Sequence, residues 1–413
     1  MSQPEEFVDV AIVGGGMAGA SLALMLQQFC PHLSVALLEQ HPLPDAGASI
    51  RLPSFDARAT ALAAGSLQLF DRLGLWSRLK EYAAPIRRVQ VSDRGHALGV
   101  SLRARREARA SFDDMLGAVI ENAALGPVLH GALAATAVQL LAPARVTELQ
   151  MTPEGVRLQW HRGEEGAVQS LRAGLLVVAD GVNSPLCRRL GIDTEQVTYN
   201  QRALVTTVGV QRDHGGVAYE RFTADGPMAL LPLPRRHGRH RMALVWTSPG
   251  ERAGELEGLS DGEFVARLQR TFGWRAGRIE CCGEVSSYPL SLSLAREQWR
   301  RDLVLVGNCA HFLHPVAGQG FNLTLRDCYG LAQALACGEM AQNSSGRLDL
   351  LQEYARERRL DQQLTIGFSD RVPSLFAAPG LLAGGLRQAG LLGLALAPPL
   401  RAGFAGQAAG FGL

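Results

Sequence analysis

The stretch FVDVAIVGGGMAGASLALMLQQFCPHLSVALLE, residues 7–39, predicts how the fold begins. It starts with a short apolar run rich in β-branched residues, and Gly14, Gly16 and Gly19 follow at G-x-G-x-x-G spacing before a helical segment. A second buried strand ends at Glu39, where a dinucleotide-binding unit needs a carboxylate to accept hydrogen bonds from a ribose. This order of elements predicts a site for an adenine dinucleotide. An ordinary glycine-rich turn is the alternative.

The requirement for glycine at each of these three positions has a physical reason. Because glycine has no Cβ, the backbone at Gly14 and Gly16 can turn tightly and bring its N–H groups and the positive end of the helix up to a pyrophosphate. Gly19 allows the helix to pack closely on the strand. Glu39 stands where an arginine would favour a 2′-phosphate, so a free 2′-hydroxyl is expected, and FAD or NAD is favoured over NADP at this site.

The composition is that of an ordinary folded enzyme. At 413 residues the chain exceeds one typical core, so two intertwined domains or one large domain with an appendage are expected. The net charge of +2 argues against a nucleic-acid partner. The seven cysteines form no C-x-x-C pair, which favours a reducing compartment over a disulfide framework or a cysteine zinc site. No signal peptide precedes the first strand, so a cytoplasmic protein is expected.

Periodicity predicts a mixture of strands and helices along the rest of the chain. A hairpin is predicted for residues 86–102, and residues 113–142 are predicted to be helical up to Pro143. The apolar strand at 228–233 is a candidate floor of the substrate pocket, with an ordinary sheet core as the alternative. The remaining predictions are strands at 146–160, 175–179, 205–210, 242–247 and 303–306 and helices at 261–272, 321–337 and 348–366.

Three strand ends carry glycine-rich loops. They are residues 14–19, the pair Asp180 and Gly181, and residues 307–322, which have the sequence GNCAHFLHPVAGQGFN. A single dinucleotide needs only the first loop. The other two therefore indicate a longer, stretched cofactor whose middle and far end are also bound by main chain.

Together the three motifs resemble those of the FAD-dependent aromatic hydroxylases with the para-hydroxybenzoate hydroxylase fold. The resemblance implies that the first motif binds the ADP half of FAD and that Asp180 and Gly181 lie near both the flavin and the pyridine nucleotide. It also implies that the third motif holds the ribitol and isoalloxazine, and that NADPH or NADH is the reductant. The implied fold is α/β, a Rossmann-like FAD-binding domain interleaved with a mostly β substrate domain, plus C-terminal helices.

The expected domains alternate along the chain. The FAD-binding domain is expected to comprise residues 1–85, 103–195 and 289–345, the substrate domain residues 86–102 and 196–288, and a C-terminal helical region residues 346–413.

The third motif departs from the family pattern at one position. Asn308 replaces the family's aspartate and can still accept a hydrogen bond from a ribitol hydroxyl, although it carries no charge. Pro315 stiffens the loop and, by the resemblance, lies near the substrate. A helix follows the motif, so free N–H groups and the positive dipole end are expected to face negative charge on a reduced flavin. The residues of this motif expected to bind the cofactor are Asn308, Pro315, Gly318, Gln319, Gly320 and Asn322.

Four further positions carry a candidate role. Arg58, in the segment DARATAL, matches a family arginine at the pyrophosphate, with a surface arginine as the alternative, and Asn122 lies near a family position that faces FAD. His311 and His314 suggest a metal or a base. No carboxylate stands at ligand spacing in the sequence and flavin activates oxygen unaided, so a structural role is favoured and no metal is expected. No catalytic residue is assigned.

Within the FAD-dependent aromatic hydroxylases, several segments resemble the hydroxylases of ubiquinone biosynthesis in particular. They are DARATAL, ALAAGSLQLFDRLGLW, VSDRGHALGVSL, YERFTADGPMALLPL and FGWRAGRI. This resemblance implies a monooxygenase that uses NAD(P)H and O2 to hydroxylate a polyprenylated methoxyphenol para to its hydroxyl group. A sibling hydroxylase acting at another ring position or on a small soluble phenol stays open, as does a flavin-loaded assembly subunit without turnover.

The last part of the chain, residues 372–413, has only Arg387 and Arg401 as charges. Its charge-free stretches are shorter than the about 20 apolar residues that span a bilayer. The segment is expected to cover the substrate entrance, to pack on another subunit, or to touch the membrane surface where a polyprenyl substrate resides. Peripheral contact with the inner membrane, a complex with other ubiquinone-biosynthesis proteins and an oligomer all stay open.

Overall fold

The computed structural model describes residues 6–43, 54, 56, 58–94, 99–104, 112, 114–163, 166–314, 318–337 and 344–377. Pro315 and the tail beyond Ala377 lie outside these residues, and so do the predictions made for them.

The strands of the described residues pair into three sheets. In chain order they are β1 (Glu6–Val13), β2 (Val35–Leu38), β3 (Ala59–Ala63), β4 (Ala83–Ile86), β5 (Arg88–Asp93), β6 (Gly99–Arg103), β7 (Gly117–Glu121), β8 (Gln139–Leu141), β9 (Ala144–Thr152), β10 (Gly155–Arg162), β11 (Val168–Val178), β12 (Thr194–Val210), β13 (Val217–Thr223), β14 (Gly226–Arg236), β15 (Arg239–Pro249), β16 (Ile279–Cys282), β17 (Ser286–Ala295), β18 (Trp299–Arg300), β19 (Leu303–Leu305) and β20 (His311–Phe312).

The helices lie between these strands and at the end of the described chain. They are α1 (Met17–Phe29), α2 (Ala64–Arg72), α3 (Trp76–Leu79), α4 (Asn122–Leu133), α5 (Pro185–Arg189), α6 (Gly250–Glu257), α7 (Asp261–Phe272), α8 (Gln319–Cys337) and α9 (Ser344–Ala377). None of these helices is long and apolar enough to cross a membrane.

The first sheet is built around β1. Its strands run in the order β18, β19, β11, β1, β2 and β8, with β10 and β9 continuing from β11. β1 pairs in parallel with both β2 and β11. Val10 and Ile12 enter the core that contains α1, while Ala11 and Val13 enter the core on the other face. Burial on both faces explains why this strand is a continuous apolar run rather than an alternating one.

The large sheet has the strand order β20, β17, β12, β15, β14, β13, β5 and β6, with β16 on β12. All of its pairings are antiparallel except the parallel pair of β5 and β13. One face packs on α6 and α7 through a core that includes Leu230, Leu244 and Phe264. The small sheet, in the order β3, β7 and β4, packs against the opposite face through Val119, Ala218 and Ala243. The α/β class, with a Rossmann-like unit beside a mostly β unit and C-terminal helices, is confirmed.

The predicted helix at 113–142 is wrong. Residues 117–121 form β7, α4 spans only Asn122–Leu133, and residues 139–141 form β8. β7 is the central strand of the small sheet and pairs with β3 on one side and β4 on the other. These long-range hydrogen bonds override the local helical periodicity, because sequence propensity is only a weak prior.

Other element predictions are confirmed. The hairpin at 86–102 is present as β5 and β6, and the predicted helix at 261–272 is α7. Ser260 and Glu263 form a capping box at the start of α7, which satisfies N–H groups of its first turn. The first sheet draws on residues 6–38, 139–178 and 299–305, and the large sheet on residues 88–103 and 194–312. The proposed domain boundaries stay a prediction.

Candidate active site

A cavity of about 1370 Å³ lies between the ends of the first sheet's strands, the small sheet and the open face of the large sheet. Typical ligand pockets hold about 300–1,000 Å³, so this one has room for a cofactor and a second molecule. Most of the predicted cofactor residues line it, namely Gly14, Gly16, Glu39, Arg58, Asn122, Asp180, Gly181, Asn308, Gly318, Gln319, Gly320 and Asn322. Gly19 is not part of the lining, and Pro315 lies outside the described residues.

The start of α1 is suited to an anion. Gly16 is its N-cap, no side chain caps it, and its first turn contains no acidic residue. The first N–H groups of a helix have no partner within the helix, so they are available to a bound phosphate. Glu39 holds the preceding turn, because its Oε2 accepts a hydrogen bond from the Gly15 N–H at 2.7 Å and its Oε1 accepts one from the His41 N–H at 2.9 Å. The carboxylate is buried and still faces the cavity.

The glycines of the site fall into two groups. A Cβ at Gly14 would lie 2.4 Å from the Ala179 carbonyl oxygen, and one at Gly19 would lie 1.9 Å from the Gly14 carbonyl oxygen. The protein's own packing therefore requires these two glycines. A Cβ at Gly16 would instead meet only the Ser54 side chain, with Oγ at 2.9 Å, and one at Gly320 would meet nothing within 4 Å. Both face the cavity, so their missing side chains leave room for a ligand.

Asp180 offers an unused acceptor to the cavity. Its Oδ2 accepts a hydrogen bond from the Ser184 hydroxyl at 2.7 Å, while its buried Oδ1 has no partner within hydrogen-bond distance among the described residues. Burial raises the pKa of Asp180 to about 6, although the bond from Ser184 opposes the shift. A buried acceptor without a partner is costly in a folded protein. A ligand hydroxyl group, such as one of a ribitol chain, would satisfy it.

Asn322 organises the third loop through the protein itself. Its Oδ1 accepts hydrogen bonds from the Ala63 N–H and the Ser66 hydroxyl, both at 2.8 Å. Its Nδ2 donates to the carbonyl oxygens of Ala61 and Gly318, also at 2.8 Å. The amide joins the start of α8 to β3 and leaves no donor for a cofactor, so the predicted contact of Asn322 with FAD stays a prediction. Asn308, in contrast, is exposed and lines the cavity.

Arg58 and Asn122 are held together at the edge of the cavity. The Arg58 Nε lies 2.6 Å from Asp56 Oδ2, and its guanidinium lies 5.0 Å from the centre of the Tyr288 ring. The Asn122 N–H donates to the Arg58 carbonyl at 2.8 Å, and the Asn122 Oδ1 accepts from the Thr60 hydroxyl at 2.6 Å. Stacking on an aromatic ring restrains the cation beside the cavity.

Sequence reasoning missed His130. This residue of α4 places Nε2 2.8 Å from the Gly15 carbonyl oxygen, which can only accept, so Nε2 carries the proton. Burial is the main reason that the pKa of His130 is lowered, so the ring is neutral at pH 7. His130 thus stabilises the first glycine turn by donating a hydrogen bond to its backbone. It lies within the segment predicted as one long helix, and no local signal connects it to Gly15.

The two histidines of the third loop have different surroundings. His311 is buried and pairs with Asp327, which the sequence spacing did not indicate. His314 lines the cavity and contacts the Tyr199 ring edge-on at 5.3 Å, and burial lowers its pKa to about 4. Within the described part of the chain, no group of three or more His, Cys, Asp or Glu residues is arranged to hold a metal ion.

The wall of the cavity opposite the glycine loops is apolar. β14 alternates across it, with Ala229 and Leu231 facing the cavity and Met228 and Leu230 packed in the core on the other side of the sheet. The candidate floor strand therefore contributes both to the cavity and to an ordinary sheet core.

Comparison with known proteins agrees with this arrangement. Residues 7–369 match the family described as FAD binding domain. The ubiquinone hydroxylase UbiL of Rhodospirillum rubrum is 35% identical over 90% of this chain and 82% of its own length. The 3-demethoxyubiquinol 3-hydroxylase of Escherichia coli is 29% identical over 91% of this chain and 92% of its own length.

The fold also resembles a solved structure. The crystal structure of pqsL, a probable FAD-dependent monooxygenase from Pseudomonas aeruginosa, superposes with a TM-score of 0.73 at 22% identity and covers 94% of this chain and 100% of that chain. The likeness extends over both the first sheet and the large sheet.

Proposed function

Because the chain belongs to the FAD-binding-domain family and is a flavin-dependent aromatic monooxygenase, we propose that it hydroxylates a polyprenylated methoxyphenol of ubiquinone biosynthesis. The oxygen enters at the carbon para to the phenol hydroxyl. O2 is the oxygen source, and NADPH or NADH is the reductant.

The division of the cavity into a polar side and an apolar side carries this proposal. Glycine loops, Glu39 and Asp180 form the polar side, whereas the facing sheet presents chiefly aliphatic side chains such as Val205, Leu231 and Val245. A substrate with one aromatic ring and a long hydrocarbon chain matches such a wall, because burial of apolar surface stabilises binding by about 25 cal/mol per Å². A small soluble phenol would leave much of this surface uncovered.

The residues present fit FAD. The uncapped start of α1 would hold the pyrophosphate, Glu39 the ribose and Asp180 the ribitol chain. FAD supplies the chemistry when bound, since reduced flavin activates O2 for transfer of one oxygen atom to an electron-rich ring. The protein's part is to orient the ring and to exclude water with the apolar wall.

The para position follows from the chemistry of the ring. A phenol with methoxy and polyprenyl groups at its ortho carbons is most nucleophilic at the open para carbon. The reacting atoms must approach within about 3 to 3.5 Å, so the pocket has to hold the ring in one orientation. A second candidate is hydroxylation at another ring carbon, which the name of the Escherichia coli relative favours.

The substrate also suggests where the protein works. A polyprenyl phenol partitions into the bilayer, so we place a cytoplasmic enzyme at the surface of the inner membrane, in contact with other proteins of the pathway. NAD(P)H oxidation that did not respond to any phenol would favour a flavin-loaded assembly subunit instead.

Labelled oxygen tests the reaction. The purified protein, 2-polyprenyl-6-methoxyphenol, NAD(P)H and ¹⁸O₂ are expected to give a product with one ¹⁸O at the para carbon, detected by mass spectrometry and NMR. Product formed only from a ring already oxygenated at that carbon would contradict the proposal and support the second candidate.

A further inference from the structure

Arginine side chains gather on the face of the large sheet that is turned away from the cavity. Ser92 of β5 and Arg221 of β13 lie opposite each other in the register of these two strands. The residues that precede them, Val91 and Glu220, line the cavity. Because successive side chains of a strand point to opposite faces, Ser92 and Arg221 share the far face of the sheet.

Ser92 brings two guanidinium groups together. Its buried hydroxyl oxygen lies 3.2 Å from Nη1 of Arg275, in the loop after α7, and 3.5 Å from Nη1 of Arg221. Arg94 follows β5 directly, and its N–H donates to the Phe222 carbonyl at 2.8 Å, which holds it beside Arg221. The side chains of Arg94 and Arg275 are exposed, so solutes can reach them. Arg94, Arg221 and Arg275 are referred to below as the arginine cluster.

The charges of the arginine cluster are not neutralised within the protein. None of its three residues forms an ion pair in the part of the chain that the structure describes. The Nε of Arg221 is buried and has no hydrogen-bond partner among the described residues. Burial lowers the pKa of Arg221, the charges of Arg275 and Arg94 lower it further, and Asp93 opposes the shift. Like charges held together at a half-buried position destabilise one another unless an anion joins them.

The surrounding surface is also basic. Arg88 of β5 and Arg103 of β6 lie directly opposite each other, at positions that alternate to the far face, although like charges in such a pair are unfavourable. Among the described residues of β5, β6 and β13, the acidic ones are Asp93 and Glu220, and both stand at positions that alternate to the cavity face. The far face of these strands therefore presents arginines without an acidic residue between them.

We propose that the arginine cluster binds a phosphate group. A phosphate group carries up to two negative charges and several acceptor oxygens, and the planar fork of a guanidinium donates two parallel hydrogen bonds to such oxygens. This site is separate from the start of α1, because the large sheet lies between the cluster and the cavity. Soluble phosphate compounds and the headgroups of anionic phospholipids share this chemistry. Trp274, which precedes Arg275 and is 69% exposed, favours the headgroup, because tryptophan is enriched where membranes meet water.

Calorimetric titration of inorganic phosphate into the flavin-loaded protein tests the site, with the ionic strength kept constant by chloride. We expect the wild type to bind phosphate, and Arg221→Gln and Arg275→Gln each to weaken binding at least about tenfold, because each loses hydrogen bonds between charged groups. Arg78→Gln removes an exposed arginine of α3, outside the large sheet, and should bind phosphate like the wild type. Flavin absorbance and the thermal unfolding midpoint show whether each variant is folded. Arg275 is exposed, so its variant tests the site even where Arg221→Gln does not fold.

Sedimentation with lipid vesicles identifies the source of the phosphate group. Vesicles of phosphatidylglycerol and phosphatidylcholine are compared with vesicles of phosphatidylcholine alone. Sedimentation with the anionic vesicles only, lost in Arg221→Gln and Arg275→Gln, would support the site and assign a lipid headgroup to it. Phosphate binding without sedimentation would support the site and assign a soluble phosphate compound. Absence of binding in both experiments, or equal binding by the wild type and both cluster variants, would overturn the proposal.

Discussion

Nε2 of His311 lies 2.6 Å from Oδ2 of Asp327, in a buried pair that joins the third glycine loop to α8. Since a carboxylate accepts, Nε2 is the donor. Arg358 of α9 donates to the other oxygen of Asp327 at 2.8 Å and also pairs with Asp361. Burial alone would raise the pKa of Asp327, but the bonds from His311 and Arg358 hold that pKa below its usual range. One carboxylate therefore connects the third glycine loop with α8 and α9.

Asp327→Asn is expected to destabilise the protein at pH 7 by about 3–5 kcal/mol, because removing one partner of a buried pair leaves the other charge uncompensated. A carboxyl group with a lowered pKa stabilises the folded state above its unfolded pKa of about 4 and loses this contribution as the pH falls below that value. Urea unfolding at pH 7 and at pH 3.5 should therefore show a smaller difference in the free energy of unfolding for the variant than for the wild type. Glu353→Gln breaks an exposed pair with Arg356 on α9 and is the control, for which little change is expected.

Gly16→Val and Gly19→Val should fail in different ways. The valine at 16 projects into the cavity and meets only the Ser54 side chain, so the protein should fold but bind little FAD. The valine at 19 overlaps the Gly14 backbone, so the protein should be destabilised or insoluble. The ratio of flavin to protein absorbance and the thermal unfolding midpoint distinguish the two. A Gly16→Val protein with full flavin content would contradict the placement of the pyrophosphate.

Asp180→Asn should make the flavin-free protein more stable and should weaken its binding of FAD. The pKa of Asp180 is raised to about 6, so the folded protein holds this proton more tightly than the unfolded chain, and stability falls as the pH rises from about 4 to 6. In the flavin-free protein, the variant should be about 2–3 kcal/mol more stable than the wild type above pH 6 and similar to it below pH 4. The same variant should retain less FAD, because an uncharged amide oxygen is a weaker acceptor than a carboxylate. Equal stability at pH 8 would show that the carboxyl is not strained by burial.

Asn308→Asp should be tolerated. Asn308 is exposed at the rim of the cavity, so a charge there remains solvated, and the hydrogen-bond acceptor is kept. We expect flavin content close to that of the wild type, measured by absorbance after gel filtration. Loss of all bound FAD would show that the uncharged amide is required.

The sequence predicted the elements whose cause is local. Gly14 has a φ of 111° in the first turn, and Gly19 packs on the Gly14 backbone within the same strand–turn–helix unit. The predicted helix at 261–272 likewise begins at a capping box that spans four consecutive residues. The continuous apolar pattern of β1 likewise shows that both of its faces are buried. Such features depend on neighbours a few residues away, so the local sequence pattern is enough to predict them.

Tertiary structure decided which distant residues meet. The chain from 117 to 121 has helical periodicity but becomes the middle strand of the small sheet, because β3 and β4 supply its hydrogen bonds. His130 reaches Gly15, more than a hundred residues away, and Asn322 reaches Ala61. The apolar wall of the cavity depends on the register of the large sheet, because a shift of one residue in β14 would turn Leu231 to the opposite face. The first glycine turn was therefore determined by local sequence, whereas the apolar wall of the cavity exists only once the large sheet has paired.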